Sequence, residues 1–222
     1  MRVRISPGAM AGGPGSEENL AAGILRLAGW HPGIALLDPM CGSGTFLMEA
    51  AQQAFNIAPG SRRSFGFEAF KNFNKKTWER LLEAAKEDEK TIVPIPIYGN
   101  DISPVAVRAS LANLDRAGLL PAITLNTGNV LDIQAPLSSG IMIANPPYGE
   151  RSSEQKELAE FYPALGSSLK RHFAGWNCYL LTADLRLPKL MRLSPSKKTP
   201  LYNGALECRL FEFKMVSGSN RR

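Results

Sequence analysis

Apolar residues in this chain fall into short unbroken runs, separated by glycine, proline and charged turns and by longer stretches of helical period. Ile34-Ala35-Leu36-Leu37, Ala122-Ile123-Thr124-Leu125, Ile141-Met142-Ile143-Ala144 and the mostly apolar residues 177–182 are too short for helices. Each predicts a strand, and Ile34 to Leu37 is too continuous to be an edge with one wet face. Residues 92–98 predict another strand. Its first half, with Pro94 and Pro96, belongs at an edge or outside the sheet, since proline has no N–H to give a ladder. Helical patterning covers 18–27, 45–51, the highly charged 77–90, and a helix begun by Ser103-Pro104 with apolar positions 105, 107, 111 and 114 toward the sheet. It also covers 158–173, where Pro163 either kinks the helix or marks its start. Asn203-Gly204 is a strong hairpin turn, and the segment 206–216 after it alternates with an offset near Leu210. The order of elements predicts an α/β, Rossmann-like fold with a mixed, mostly parallel seven-stranded sheet and a C-terminal antiparallel hairpin.

The rhythm breaks at residues 59–90, where Phe65, Phe67, Phe70, Phe73 and Trp78 alternate with Arg62, Arg63, Lys71, Lys75 and Lys76. This excursion is too short to hold a core of its own. Its aromatics either pin it to the domain as a satellite cluster or stack on nucleic-acid bases. Residues 1–16, with Gly12-Gly13-Pro14-Gly15-Ser16, have no period and are expected to be a disordered or vector-derived tail. The domain is expected to span 17–216, with 217–222 a second tail. Net charge is +6, but Arg2, Arg4, Arg221 and Arg222 lie at the ends and leave about +2 for the domain. An RNA partner is compatible with that balance and not argued by it. The candidate basic patches are Lys170-Arg171-His172 and the group Arg186, Lys189, Arg192, Lys197 and Lys198. Three dispersed cysteines and two histidines make neither a disulfide framework nor a metal site, and no apolar run is long enough to cross a bilayer. A cytoplasmic monomer is expected.

Two segments carry chemistry. Asp38-Pro39-Met40-Cys41-Gly42-Ser43-Gly44-Thr45 joins a strand to a helix, with glycines where a Cβ would block a ligand's approach. It lacks the Gly-Lys-Ser/Thr ending of a phosphate loop and the third glycine of a dinucleotide site. The acid before its glycines repels phosphate and suits a cation. S-adenosylmethionine, with an ammonium, a sulfonium and no phosphate, fits; a plain tight turn is the other reading. Asp101, ending the second strand of the sheet, could accept both ribose hydroxyls or cap the following helix, and Asn129 could reach an adenine edge. Asn145-Pro146-Pro147-Tyr148 closes a buried strand as a rigid polar cup. The side-chain carbonyl of Asn145 and the backbone carbonyl of Pro146 can accept both hydrogens of an amino group, and Tyr148 can stack on the ring that bears it. Holding a delocalised nitrogen against a methyl donor is positioning with electrostatic stabilisation, and it needs no strong base. A base within a duplex would have to flip out to reach it.

Together, the glycine loop continued as Phe46-Leu47-Met48-Glu49-Ala50-Ala51, Gly99-Asn100-Asp101 and Ala144-Asn145-Pro146-Pro147-Tyr148-Gly149-Glu150-Arg151 resemble the catalytic core of the bacterial large-subunit ribosomal RNA guanine-N2 methyltransferases. In that family the core follows an N-terminal THUMP RNA-binding domain. The resemblance runs from Glu18 to Met215 and takes in Glu18-Asn19-Leu20-Ala21-Ala22, Phe65-Gly66-Phe67, Trp78, Phe173-Ala174-Gly175-Trp176-Asn177 and Leu201-Tyr202-Asn203-Gly204. Asn-Pro-Pro-Tyr alone is shared with adenine-N6 and glutamine-N5 methyltransferases. The resemblance implies a class I S-adenosylmethionine-dependent enzyme that methylates guanine N2 in 23S ribosomal RNA. It implies that Asp38, Pro39, Cys41, Gly42, Ser43, Gly44 and Thr45 bind the cofactor, with Cys41 and the glycines at its methionine end. Asp101 would hold the ribose, Asn129 the adenine, and Asn145, Pro146, Pro147 and Tyr148 the target amine, with Asn145 also touching the cofactor. No THUMP domain is visible before residue 17 and no second methyltransferase domain after residue 222, so a catalytic core that methylates RNA poorly by itself is expected. A transfer-RNA guanine-N2 enzyme of the same plan and a silent cofactor- or RNA-binding module are the alternatives.

Overall fold

The computed structural model describes residues 16–61, 63–147, 152–203 and 206–216. The chain alternates α1 (Ser16–Leu27), β1 (Leu36–Asp38), α2 (Thr45–Ala54), α3 (Lys75–Glu87), β2 (Ile97–Asp101), α4 (Pro104–Arg116), β3 (Ile123–Thr127), β4 (Gly140–Ala144), α5 (Ser152–His172), β5 (Trp176–Thr182), α6 (Leu187–Met191), β6 (Lys197–Asn203) and β7 (Leu206–Lys214). The seven strands form one sheet in the order β3-β2-β1-β4-β5-β7-β6. Strands β1 to β5 pair in parallel, and β7 runs antiparallel to both β5 and β6.

Both faces of the sheet are covered, which is why its central strands read as unbroken apolar runs. Ile141, Ile143, Tyr179 and Leu181 pack with residues of α1, α2 and α4 on one face, while Met142, Ala144, Cys178 and Leu180 pack with α5 and α6 on the other. Burying an aliphatic side chain of this size is worth about 1.5–3 kcal/mol. Among the described residues no helix is long and apolar enough to cross a membrane.

Several boundaries differ from the sequence reading for physical reasons. The strand expected at 92–98 begins at Ile97, beyond both prolines, and ends at Asp101. The proline segment still contributes to the sheet's neighbours, since Leu36 N–H donates to Pro96 O (2.9 Å) and Ile95 N–H to Ala122 O (3.1 Å). The offset near Leu210 is not a bulge, because β7 pairs in unbroken register with β5 and β6. Cys208 and Leu210 enter one core while Phe211, Phe213 and Met215 enter the other, so a strand buried on both sides imitates a shifted alternation. On α4 the inward residues are Val107, Ser110 and Leu114, and Val105 is exposed. Pro163 neither starts nor ends α5, which runs through it. The basic segment after β5 contains α6, which the sequence reading did not anticipate. In the excursion, Phe65 stacks on Phe67 at 5.3 Å and Trp78 meets both edge-on, so these aromatics cluster with one another, while Phe70 is exposed. The turn residue Gly204 lies outside the described residues, although β6 and β7 pair from Asn203↔Leu206 onward as the hairpin signal requires.

Candidate active site

Strands β1 and β4 are neighbours, yet β1 leads to β2 on one side and β4 to β5 on the other. Between diverging connections of this kind an open parallel sheet leaves a crevice at its C-terminal edge. Both sequence-predicted segments end there. Leu37 pairs with Met142, so in the same register Asn145 stands two residues, about 7 Å, past the position opposite Asp38.

The glycine loop is held in shape by its neighbours. Gly42 and Gly44 have φ of 55° and 87°, the left-handed region where side chains are strained. A Cβ on Gly44 would also lie 3.0 Å from Ser110 Oγ. Cys41 N–H donates to Asn100 O (2.9 Å) and Gly42 N–H to Asp101 Oδ2 (3.0 Å). From α4, the buried Ser110 hydroxyl donates to Gly42 O (2.8 Å) and the Asn113 amide to Ser43 O (3.0 Å). Gly44 caps α2 without a side-chain hydrogen bond, which leaves first-turn N–H groups for water or a ligand carboxylate.

Asp38 is buried at the end of β1, where its Oδ1 accepts Met40 N–H at 3.2 Å. Burial pushes its carboxyl up to about 8, and the negative charge of Asp101 adds to the effect. Among the described residues no lysine or arginine forms a salt bridge with either acid. Two acids without a cation of their own suit a ligand that brings positive charge. The residues present therefore fit the methionine end of S-adenosylmethionine, with Asp38 suited to its ammonium and the N–H groups at the start of α2 to its carboxylate. Cys41 is buried with its Sγ 3.7 Å from Ser110 Oγ, and burial pushes its thiol up to about 12, so it is an inert wall and not a nucleophile.

Asp101 does more than the sequence reading gave it. One carboxylate oxygen takes Gly42 N–H and the other Ser103 N–H (2.8 Å), so it ties the loop to the start of α4. Each oxygen keeps a lone pair for a ribose hydroxyl. Asn129 lies two residues beyond the end of β3, and its Oδ1 accepts Leu131 N–H (3.0 Å). The cup begins at Asn145, directly after β4. Among the described residues, Asn145 Oδ1 is the one buried side-chain polar atom without a hydrogen-bond partner. A buried acceptor left unpaired costs about 1–3 kcal/mol, so its presence at this mouth marks a place for a donor. Pro146 is buried and Pro147 half-buried. Tyr148 lies outside the described residues.

Sequence reasoning missed four supports. Buried Asn100 donates its amide to Pro39 O (3.2 Å) and Gly128 O (2.8 Å), stitching the loops after β1 and β3 across β2. Ser110 and Asn113 hold the glycine loop from α4, and Tyr162 on α5 donates its hydroxyl to Pro147 O. The available signal was a polar residue in an apolar setting: Asn100 within β2, and Ser110 on the stripe of Val107 and Leu114. Among the described residues no cluster of His, Cys, Asp or Glu could hold a metal.

Known proteins resemble this chain in sequence and fold. The ribosomal RNA large subunit methyltransferase K/L of Shewanella oneidensis is 40% identical over 211 residues, covering 93% of this chain and 30% of that protein. The chain thus spans under a third of the length of that curated relative. The structure of SMU.472 complexed with S-adenosylhomocysteine superposes with a TM-score of 0.85 at 31% identity, covering 95% of this chain and 56% of the other. A predicted N6-adenine-specific DNA methylase from Listeria monocytogenes superposes with a TM-score of 0.81 at 31% identity, covering 93% and 54%. The fold is that of the Rossmann-like class I S-adenosylmethionine-dependent methyltransferases. The model of the RMKL-like methyltransferase domain matches residues 10–212, and the chain belongs to that family.

Proposed function

We propose that this chain transfers a methyl group from S-adenosylmethionine to the exocyclic N2 of a guanine in 23S ribosomal RNA. The observation that carries the reading is the orphaned Asn145 Oδ1, a buried acceptor beside the cofactor loop with no donor of its own. Similarity to the K/L enzyme of Shewanella supports the ribosomal substrate.

When bound, S-adenosylmethionine supplies an electrophilic methyl on a sulfonium. Asp38 would hold the ammonium and the N–H groups at the start of α2 the carboxylate of its methionine end, and Asp101 would take the ribose hydroxyls. Asn129 would hold the adenine. Across the crevice, Asn145 Oδ1 and the Pro146 carbonyl accept the two hydrogens of the guanine amino group. Those hydrogen bonds draw the nitrogen toward pyramidal geometry and free its lone pair from the ring. The lone pair freed by Asn145 Oδ1 and the Pro146 carbonyl would thus be presented to the methyl group that the bound cofactor would supply, the sulfur leaving with the carbon–sulfur electron pair. The cationic nitrogen then loses a proton to water. We assign the stacking on guanine to Tyr148, which lies outside the described residues. Large-subunit ribosomal RNA is the partner, delivered by a separate RNA-binding domain in the full-length protein.

Tritiated methyl transfer to undermodified 23S ribosomal RNA, transfer RNA and DNA tests the assignment. Incorporation into guanine N2 of the ribosomal RNA is expected, and Asn145→Ala abolishes it while cofactor affinity stays within about twofold. Labelling of transfer RNA alone, or of adenine in DNA, would overturn the substrate, and full activity of Asn145→Ala would overturn the cup.

A further inference from the structure

This inference rests on the reading of residues 145–148 as the acceptor cup. Positions 146 and 147 are both proline, so two successive residues have no N–H with which to tie the turn to a neighbouring strand. Proline fixes φ but leaves ψ, so the direction of each following carbonyl is still free to swing. Tyr162 supplies a tie from outside the loop. Its ring is fully buried on α5 in the core that also contains Leu158, Leu165 and Leu169, and its hydroxyl donates to Pro147 O. Burial pushes the phenol well above its ordinary range, so the hydroxyl stays a donor at neutral pH. A hydrogen bond fixing the Pro147 carbonyl sets the ψ of Pro147 and anchors the end of the Asn145-Pro146-Pro147 turn to α5.

We infer that Tyr162 is a positioning residue of the cup: its hydroxyl, delivered from α5, holds the Pro147 carbonyl so that the Asn145 and Pro146 acceptors keep one fixed relation to the target amino group. A merely structural tyrosine would act through its ring, which Tyr162→Phe preserves.

Hydrogen–deuterium exchange and methyl-transfer kinetics of Tyr162→Phe, compared with the unaltered chain, separate the two roles. Deuterium uptake in the peptide spanning 144–152 is expected to quicken roughly fivefold, with uptake elsewhere unchanged. The turnover number on undermodified 23S ribosomal RNA is expected to fall roughly tenfold, with the KM for S-adenosylmethionine and the melting temperature preserved. Unchanged exchange in that peptide would overturn the inference, as would faster exchange with undiminished turnover. If the unaltered chain methylates none of the three nucleic acids, the proposed function fails, while the exchange comparison still decides whether the hydroxyl holds the loop.

Discussion

Asp38 keeps a proton that most carboxyls have lost by neutral pH, and this makes cofactor binding measurable through protons. With its carboxyl raised from 3.8 to about 8 by burial, the cofactor-free site is mostly protonated at pH 7. An ammonium brought against it favours the carboxylate, so binding should release close to one proton at pH 7 and almost none above pH 9. Calorimetry in buffers of different ionisation enthalpy reads this directly, and Asp38→Asn should bind without release. The same shift governs stability. The folded protein holds this proton more tightly than the unfolded chain, so the contribution is complete below about pH 4 and is lost as pH rises through about 8. Cofactor-free melting curves should show that slope, flattened in Asp38→Asn. The place of Asp101 at a strand end, beside the start of the next helix, was legible in the sequence, but its tie to Gly42 N–H was not, because that partner is brought to it only by the fold. Asp101→Ala should therefore destabilise the free protein by about 1.5–3 kcal/mol in denaturant titration, besides weakening cofactor binding. A cofactor defect without that loss would leave Asp101 as a ribose ligand only.

At the scale of elements, the glycine loop and α4 behave as one unit. Gly44→Ala places a Cβ at left-handed φ and within 3.0 Å of Ser110 Oγ, and Ser110→Ala removes that oxygen together with its hydrogen bond to Gly42 O. Each change should cost about 1–3 kcal/mol of stability by denaturant titration. The double variant should cost less than the two together, because the crowded oxygen is gone, although the strain at φ 87° persists. Additive costs would mean that the contact carries no energy. This coupling was invisible in the sequence, where residues 44 and 110 sit far apart and Ser110 reads only as a lapse in a hydrophobic stripe. The strands were legible because a sheet covered on both faces writes continuous apolar runs, and the two cofactor-side turns because glycine and acid stand at their ends. Legibility failed where tertiary cover decides the outcome. Leu210 and Phe211 read as a broken alternation because opposite cores bury them, Val105 reads as inward although it is exposed, and α6 hides in a segment that reads only as basic.

For the molecule as a whole, the excursion is attached through a narrow neck. Phe55 O accepts Lys90 N–H at 2.8 Å, so the chain leaves and rejoins the domain at almost the same point. Nothing in α3 is buried, and the aromatics between pack mainly on one another. The neck lies at the C-terminal end of α2, whereas the glycine loop lies at its N-terminal end, ten residues and about 15 Å away. Stability and cofactor binding should therefore be separable from this segment. Replacing residues 60–88 with a short Gly-Ser linker keeps the Phe55–Lys90 hydrogen bond and closes a loop whose entropic cost changes only by about 1 kcal/mol. The shortened chain should keep its affinity for S-adenosylmethionine within about twofold and lose no more than about 2 kcal/mol of stability. A large loss in either quantity would show that the aromatic cluster supports the cofactor half of the sheet across the length of α2. Preserved binding together with a higher KM for RNA would instead place the exposed Phe70 and the neighbouring Lys71 in contact with nucleic acid, at the end of the domain away from the methyl group.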